Sequence, residues 1–297
     1  MSPIVAAVDF SSGSERAAAL AAGLAARAGA PLHLVHADVL YRSTGDGAPP
    51  AAVPSGALRL RLERLAATLG RPDASVAVER HTSAASALIG YAERVDAGLL
   101  AVGTHGRSGL RRLLLGSVAE ACVSSAPCPV LAVPDGSQAT FAPDAPILVA
   151  VDFSARSRAA LTAAHGLAGW TGAPVELVHV IRDGGPYPAI APGVLSLSDV
   201  DPRAAESVRE RLWRFAAQGS DPAPADVHAG LGAPGRVIAA LASERGAGAI
   251  VIGTHGRTGL AWIVGSVAAS TLRRSPCPVL TLTEAERLPR PVHSALN

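Results

Sequence analysis

Two stretches of this chain carry residues whose types and spacing could do chemistry. The first is Asp9, which ends the apolar run of residues 4–8. The second is residues 103–117, G-T-H-G-R-S-G-L-R-R-L-L-L-G-S. Gly103 and Gly106 lack a Cβ, so the backbone there can turn tightly and approach a ligand closely. Gly116 and Ser117 then open a helix, and a helix N-terminus offers unpaired amides and partial positive charge to a phosphate. Ser117 is placed to cap that helix or to bond a phosphate oxygen. Arg107, Arg111 and Arg112 add charge that suits a polyphosphate. The loop therefore reads as an anion site. Asp9 would instead accept from a neutral donor, such as a base amine or a sugar hydroxyl. Together they point to a nucleotide. Each has a plainer reading: Asp9 as a strand end capping the next turn, and the glycines as structural turns. His105 and His255 stand in such loops, but the sequence places no carboxylate or nucleophile beside them. Local hydrogen bonding to the loop backbone accounts for both.

The elements that must position these residues occur twice. AVDFS recurs at residues 7 and 150, GAPLHLVH at 29 returns as GAPVELVH at 172, and GTHGRSGL at 103 returns as GTHGRTGL at 253. APCPVL at 126 returns as SPCPVL at 275. Offsets of about 143 to 150 residues in constant order mark a duplicated domain rather than a solenoid. The expected organisation is domain 1 over residues 1–134, a Pro/Gly-rich linker over 135–146, domain 2 over 147–284, and a fraying tail over 285–297. In the first half, strands are expected at residues 4–8, 32–37, 75–78, 99–102 and 129–133. Helices are expected at 17–28, 58–69, 84–95 and 117–125, with a Gly/Pro loop at 45–54. The second half repeats the order, with a similar loop at 184–193. Apolar strands alternating with helices predict an α/β fold of two tandem, open, doubly wound, parallel five-stranded sheets. Ligands of such sheets bind outside the carboxyl ends of the strands, where Asp9 and the glycine-rich loop both fall.

Composition narrows the function classes. The 297 residues suit two domains. Net charge is +2 and aromatics are 3%, so neither a nucleic-acid nor an anionic-membrane footprint is present. All 26 basic residues are Arg. Without Lys there is no Schiff base and no Walker-type P-loop. The three cysteines show no C-x-x-C spacing, which fits a reducing cytoplasm. The start of the chain lacks a basic signal-peptide region, and the Ala/Leu run at 17–26 is too short to cross a bilayer. Cys128 and Cys277 read as small core residues, Arg273 and Arg274 as complements to a helix dipole, and Arg59, Arg61 and Arg64 as a solvated helical face.

The order β1-Asp, then G-x2-G-x9-G-[ST] after the fourth strand, then Pro-x-Pro-Val, resembles the universal stress protein family over nearly all of both halves. The resemblance implies the adenine-nucleotide alpha-hydrolase-like sheet and an ATP site, with Mg2+ arriving on the phosphates. It implies that Asp9 binds the adenosine part, that Ala7, Ala37 and Val102 line the adenine pocket, and that Gly103, Gly106, Gly116, Ser117 and Val118 cradle the phosphates. The matching second-half positions are Ala150, Asp152, Val180, Ile252, Gly253, Gly256, Gly265, Ser266 and Val267. Family members dimerise through the last strand. In a tandem chain the two last strands would instead pair within the molecule about a pseudo-two-fold axis, leaving a homodimer and an unknown protein partner open. The second half departs from the pattern: eight residues separate Gly256 from Gly265 where nine separate Gly106 from Gly116, and Ala261 and Trp262 replace Arg111 and Arg112. That deletion is expected to shift the helix cap or tighten the loop, which leaves open whether Gly265 and Ser266 stay within reach of a phosphate. Three functions compete: a nucleotide-dependent stress-response module, a slow ATPase or autokinase, and a ligand-free scaffold. No general base or metal cluster supports the enzyme. A PP-loop pyrophosphatase would need S-G-G-x-D-S where this chain has DFSSGSE at residue 9.

Overall fold

A computed structural model describes residues 1–39, 54–104, 115–137, 141–182, 196–254, 264–282 and 288. The first half runs β1 (Ile4–Ala7), α1 (Ser12–Ala28), β2 (Leu32–Val39), α2 (Ser55–Thr68), β3 (Ser75–His81), α3 (Ala84–Arg94), β4 (Leu99–Gly103), α4 (Ser117–Ser125) and β5 (Val130–Val133). The second repeats it as β6 (Ile147–Ala150), α5 (Ala155–Thr171), β7 (Val175–Ile181), α6 (Pro202–Ala217), β8 (Asp226–Leu231), α7 (Pro234–Glu244), β9 (Ala249–Gly253), α8 (Ser266–Arg274) and β10 (Val279–Leu282). The Gly/Pro loops anticipated at 45–54 and 184–193 fall almost wholly outside the described residues.

Within each half the strands are parallel, in the orders β3-β2-β1-β4-β5 and β8-β7-β6-β9-β10. The inner strands are short runs of Ile, Leu, Val and Ala with almost no accessible surface, because helices cover both faces. The two sheets join. β5 and β10 pair antiparallel, with Leu131 opposite Leu280, making one ten-stranded sheet. Thr281 Oγ1 donates across this seam to Val130 O at 3.1 Å. The intramolecular pairing expected from the tandem arrangement is thus present. Since the seam is antiparallel, the carboxyl ends of the two halves lie on opposite edges of the sheet.

Several boundaries differ from the sequence reading, each for a local reason. Helix α1 begins at Ser12, not residue 17, because Ser11 caps it by accepting from Ser14 N. Strands β2 and β3 extend to Val39 and His81. Their polar ends pair on an exposed edge, where Arg80 meets Asp38 at 3.0 Å and Arg94 meets Glu79 at 2.7 Å. Leu288, in the tail expected to fray, is buried in the core. Phe141, in the expected linker, is buried too, and its carbonyl accepts from Arg27 Nη2 at 3.4 Å. Arg61 belongs to no purely solvated face, since its guanidinium lies 3.8 Å from the centre of the Phe10 ring. Cys128 and Cys277 are buried, and burial pushes the Cys277 thiol up to about 11, so it stays protonated and unreactive at neutral pH.

Leu280 is 1% exposed at the centre of the seam. Leu280→Ala should cost about 2–5 kcal/mol, read by urea denaturation. A cost near zero would mean that the two last strands do not pair in solution.

Candidate functional site

The first-half cavity is built where β1 stops. The chain turns at Phe10, whose φ of 64° lies in the left-handed region that non-glycine residues rarely enter. The turn is held from several sides. The Phe10 ring packs at 4.9 Å on His36, and Arg61 covers it. His36 Nδ1 lies 2.7 Å from Val8 O. A carbonyl only accepts, so Nδ1 carries the proton and ties the ends of β1 and β2 together. Asp9 Oδ1 accepts from Ser11 N at 2.9 Å, while Asp9 N donates to Ser14 Oγ at 3.2 Å. Asp9 therefore does cap the next turn, and it does so while lining the cavity.

The other wall forms where the glycine-rich loop leaves β4 and returns. Thr104 N donates to Val133 O at 3.0 Å, and Gly116 N donates to Thr104 O at 2.8 Å. The two ends of the loop are thereby fastened to each other beside β5. Gly116 is the N-cap of α4, and among the described residues no side chain caps that helix. Ser117 follows the cap rather than forming it. The amides of the first turn are of the kind that water or a ligand can satisfy.

Ala7, Asp9, Ala37, Val102, Gly103, Gly116, Ser117 and Val118 all line one cavity of about 300 Å³. Ala150, Asp152, Val180, Ile252, Gly253, Gly265, Ser266 and Val267 line its counterpart, of about 550 Å³. Gly106, Arg107 and Gly256 lie outside the described residues, as do His105, His255, Arg111, Arg112, Ala261 and Trp262.

Gly103 lines the cavity and also serves packing, because a Cβ there would stand 2.9 Å from the carbonyl carbon of Gly13 on α1. The shortened second loop leaves the helix cap in register. Gly265 N donates to Thr254 O at 2.5 Å, Thr254 N donates to Leu282 O at 3.0 Å, and Gly265 caps α8.

Sequence reasoning missed several lining residues. Ser14 and His36 line the first cavity, and Ser157 and His179 the second. The repeated AVDFS-x-x-S and LVH segments carried that signal. The second cavity also holds Arg156 and Arg182, where the duplication places Gly13 and Val39 in the first half. These arginines bring positive charge to a half whose loop has lost the counterparts of Arg111 and Arg112.

Comparison with known proteins fits this geometry. The model of the universal stress protein family matches residues 1–134 and again residues 145–282. The chain belongs to the universal stress protein family. A universal stress protein of Mycobacterium tuberculosis is 30% identical over 194 residues, which span 64% of this chain and 63% of the relative. The chain thus matches less than two thirds of that relative's length. A universal stress protein of Methanocaldococcus jannaschii is 49% identical over 49 residues, 16% of this chain and 29% of its own. Among solved structures, a universal stress protein from Archaeoglobus fulgidus superposes with a TM-score of 0.65 at 22% identity, covering 95% of this chain and 96% of the other. That likeness shows the fold.

Asp152 is held ionised by its neighbours. Burial pushes the Asp152 carboxyl upward, but hydrogen bonds from Ser154 and Ser157 outweigh it and hold the group below the ordinary carboxylate range. Ser154 N donates to Asp152 Oδ1 at 3.0 Å and Ser157 Oγ at 2.5 Å. A depressed folded-state value means stability that is present above the unfolded value and lost as pH falls through the folded one. NMR titration should place Asp152 below the ordinary value of about 4, and Ser157→Ala should raise it. An unchanged midpoint in that variant would remove Ser157 from the account.

Proposed function

We propose that the chain is an ATP-binding stress-response module with one nucleotide site in each half. The observation that carries this is the same pairing in both cavities: a carboxylate at the end of the first strand shares the lining with the glycine-led N-terminus of a helix. The ionised carboxylate suits ribose or base donors, and the helix terminus suits phosphates. Between them, Ala7, Ala37 and Val102 in one half, and Ala150, Val180 and Ile252 in the other, offer small apolar surface to a base. Volumes of about 300 and 550 Å³ fall within or near the range of small-molecule sites. Among the described residues no group of three His, Cys, Asp or Glu is disposed to hold a metal. Mg2+ would therefore enter on the phosphates, held largely by them and by water.

The role of this chain's residues is to bind and orient. Asp9 and Asp152 fix the sugar end, and the first-turn amides of α4 and α8 fix the phosphate end. In the second half, Arg156 and Arg182 line the cavity and supply positive charge. Nucleotide occupancy would stabilise both halves by mass action, and through the seam it would favour the joined sheet. A cytoplasmic setting and a protein partner responding to occupancy belong to the same proposal.

Calorimetry with ATP and Mg2+ should give two sites per chain. Gly116→Val and Gly265→Val, which crowd the two helix N-termini, should each remove one site and leave the other. Absence of binding by the unaltered chain at about millimolar ATP, an affinity near 4 kcal/mol, would overturn the reading in favour of a ligand-free scaffold.

A further inference from the structure

A third cavity, of about 560 Å³, is lined by Phe153, Ser154, Arg158, Arg211, Arg214 and Phe215, together with Ala155 and Gln218. It lies between the start of α5 and the last turns of α6. Three of its lining side chains are guanidinium groups and none is a carboxylate. Among the described residues none of the three arginines is ion-paired to a carboxylate. Asp221 acts on Arg158 through space, and its carboxylate is already engaged by Thr162 Oγ1 at 2.9 Å.

Two of the arginines are held against aromatic rings, and Arg214 donates through Nε to Glu210 O at 3.4 Å. Arg211 lies 3.9 Å over Phe153, and Arg158 lies 3.8 Å over Phe215. Phe153 is further occupied by His179 at 4.6 Å and by the edge of Phe215. Arg158 also donates through Nη2 to Phe215 O, which offsets the negative end of α6, and to Gln218 Oε1 at 3.4 Å, while its buried Nη1 has no partner among the described residues. With the Phe153 and Phe215 rings covered by guanidinium groups, the cavity suits a polyanion better than a nucleobase. Fixed guanidinium planes match phosphate oxygens in pairs.

The first half serves as an internal control. Arg61 over Phe10 matches Arg211 over Phe153, which aligns α2 with α6. On that alignment Arg64 matches Arg214, but Leu65 stands for Phe215. The AVDFS repeat sets Glu15 opposite Arg158. The first half thus carries a carboxylate, Glu15, where the second carries its third arginine.

We propose that this arginine-lined cavity of the second half is a separate binding site for a small phosphate polyanion of pyrophosphate type. It shares only Ser154 with the neighbouring nucleotide cavity. Calorimetry of the full chain with inorganic pyrophosphate tests this. Arg211 and Arg214 are exposed, so Arg211→Gln/Arg214→Gln should fold, with a melting temperature lowered by no more than about 4 °C for the lost contact with Phe153. That variant should weaken pyrophosphate at least about tenfold while leaving ATP affinity unchanged. Arg158→Glu, which installs the charge found in the first half, should abolish the event. Gly265→Val should leave pyrophosphate within about twofold of the unaltered chain. Undetectable pyrophosphate binding, binding indifferent to the paired arginine change, or binding lost in Gly265→Val would each overturn the separate site. The last result would place the anion in the nucleotide cavity, and the first two would leave Arg158 as a tie for the end of α6.

Discussion

The antiparallel pairing of β5 and β10 is the constraint from which the rest of the molecule follows. Both strands are four residues long and buried at every position. As free edges they would present unpaired amides and carbonyls flanked by apolar side chains, a combination prone to aggregation. Pairing them removes the edge from each half and leaves the polar-ended β3 and the shorter-exposed β8 as the outer strands. Because the same strands also receive Thr104 N and Thr254 N through Val133 O and Leu282 O, the seam anchors the starts of both glycine-rich loops. A change at the seam would thus reach both candidate sites without touching either.

Much of this arrangement was legible in the sequence. The duplicated segments located every strand of the inner sheet, and Asp9 with Gly116 and Ser117 located two opposing walls of one cavity. What was not legible depended on contacts distant along the chain. Ser11 and Ser14 look like loop residues until they are seen capping α1 and fastening Asp9. Glu79, Arg80 and His81 look too polar for a strand until Asp38 and Arg94 are set beside them. The ties from His36 to Val8 and from His179 to Val151, both 2.7 Å, join residues 28 positions apart. The arginines of α6 have helical spacing that reads as solvated surface, because no local pattern says that a phenylalanine from the first turn of the half lies beneath one of them.

The two halves also show how a duplicated fold diverges without losing its frame. The left-handed phenylalanine, the histidine tie and the serine on the aspartate amide occur in both, at matching positions. Each of these constrains backbone, and a left-handed φ in a bulky residue persists only where its surroundings over-determine it. Divergence is concentrated in side chains that project from that frame. Gly13 becomes Arg156, Glu15 becomes Arg158 and Val39 becomes Arg182, so charge accumulates in two neighbouring cavities of the second half. Elsewhere the second half takes a buried charge that the first avoids. Glu176 is 4% exposed, yet Arg245 and His228 hydrogen-bond it and hold its carboxyl below the ordinary range against the effect of burial. His33 occupies the matching position and meets Tyr91 Oη at 3.0 Å instead.

The shortened second loop shows why a helix-terminus site tolerates insertions and deletions better than a loop-built one. A site made from loop side chains loses its geometry when the loop changes length, since every residue beyond the change moves. Here the groups that face the cavity belong to the helix, and the helix is positioned by its own packing and by one bond from its N-cap amide to the strand end. Gly116 to Thr104 and Gly265 to Thr254 are that bond in the two halves. As long as it forms, the intervening residues set only how the loop spans two fixed points, and the cost of changing its length by one residue is small. The first-turn amides stay where they were. Side-chain charge on the loop is lost with its arginines, but Arg156 on α5 and Arg182 beyond β7 sit on elements that the deletion does not reach.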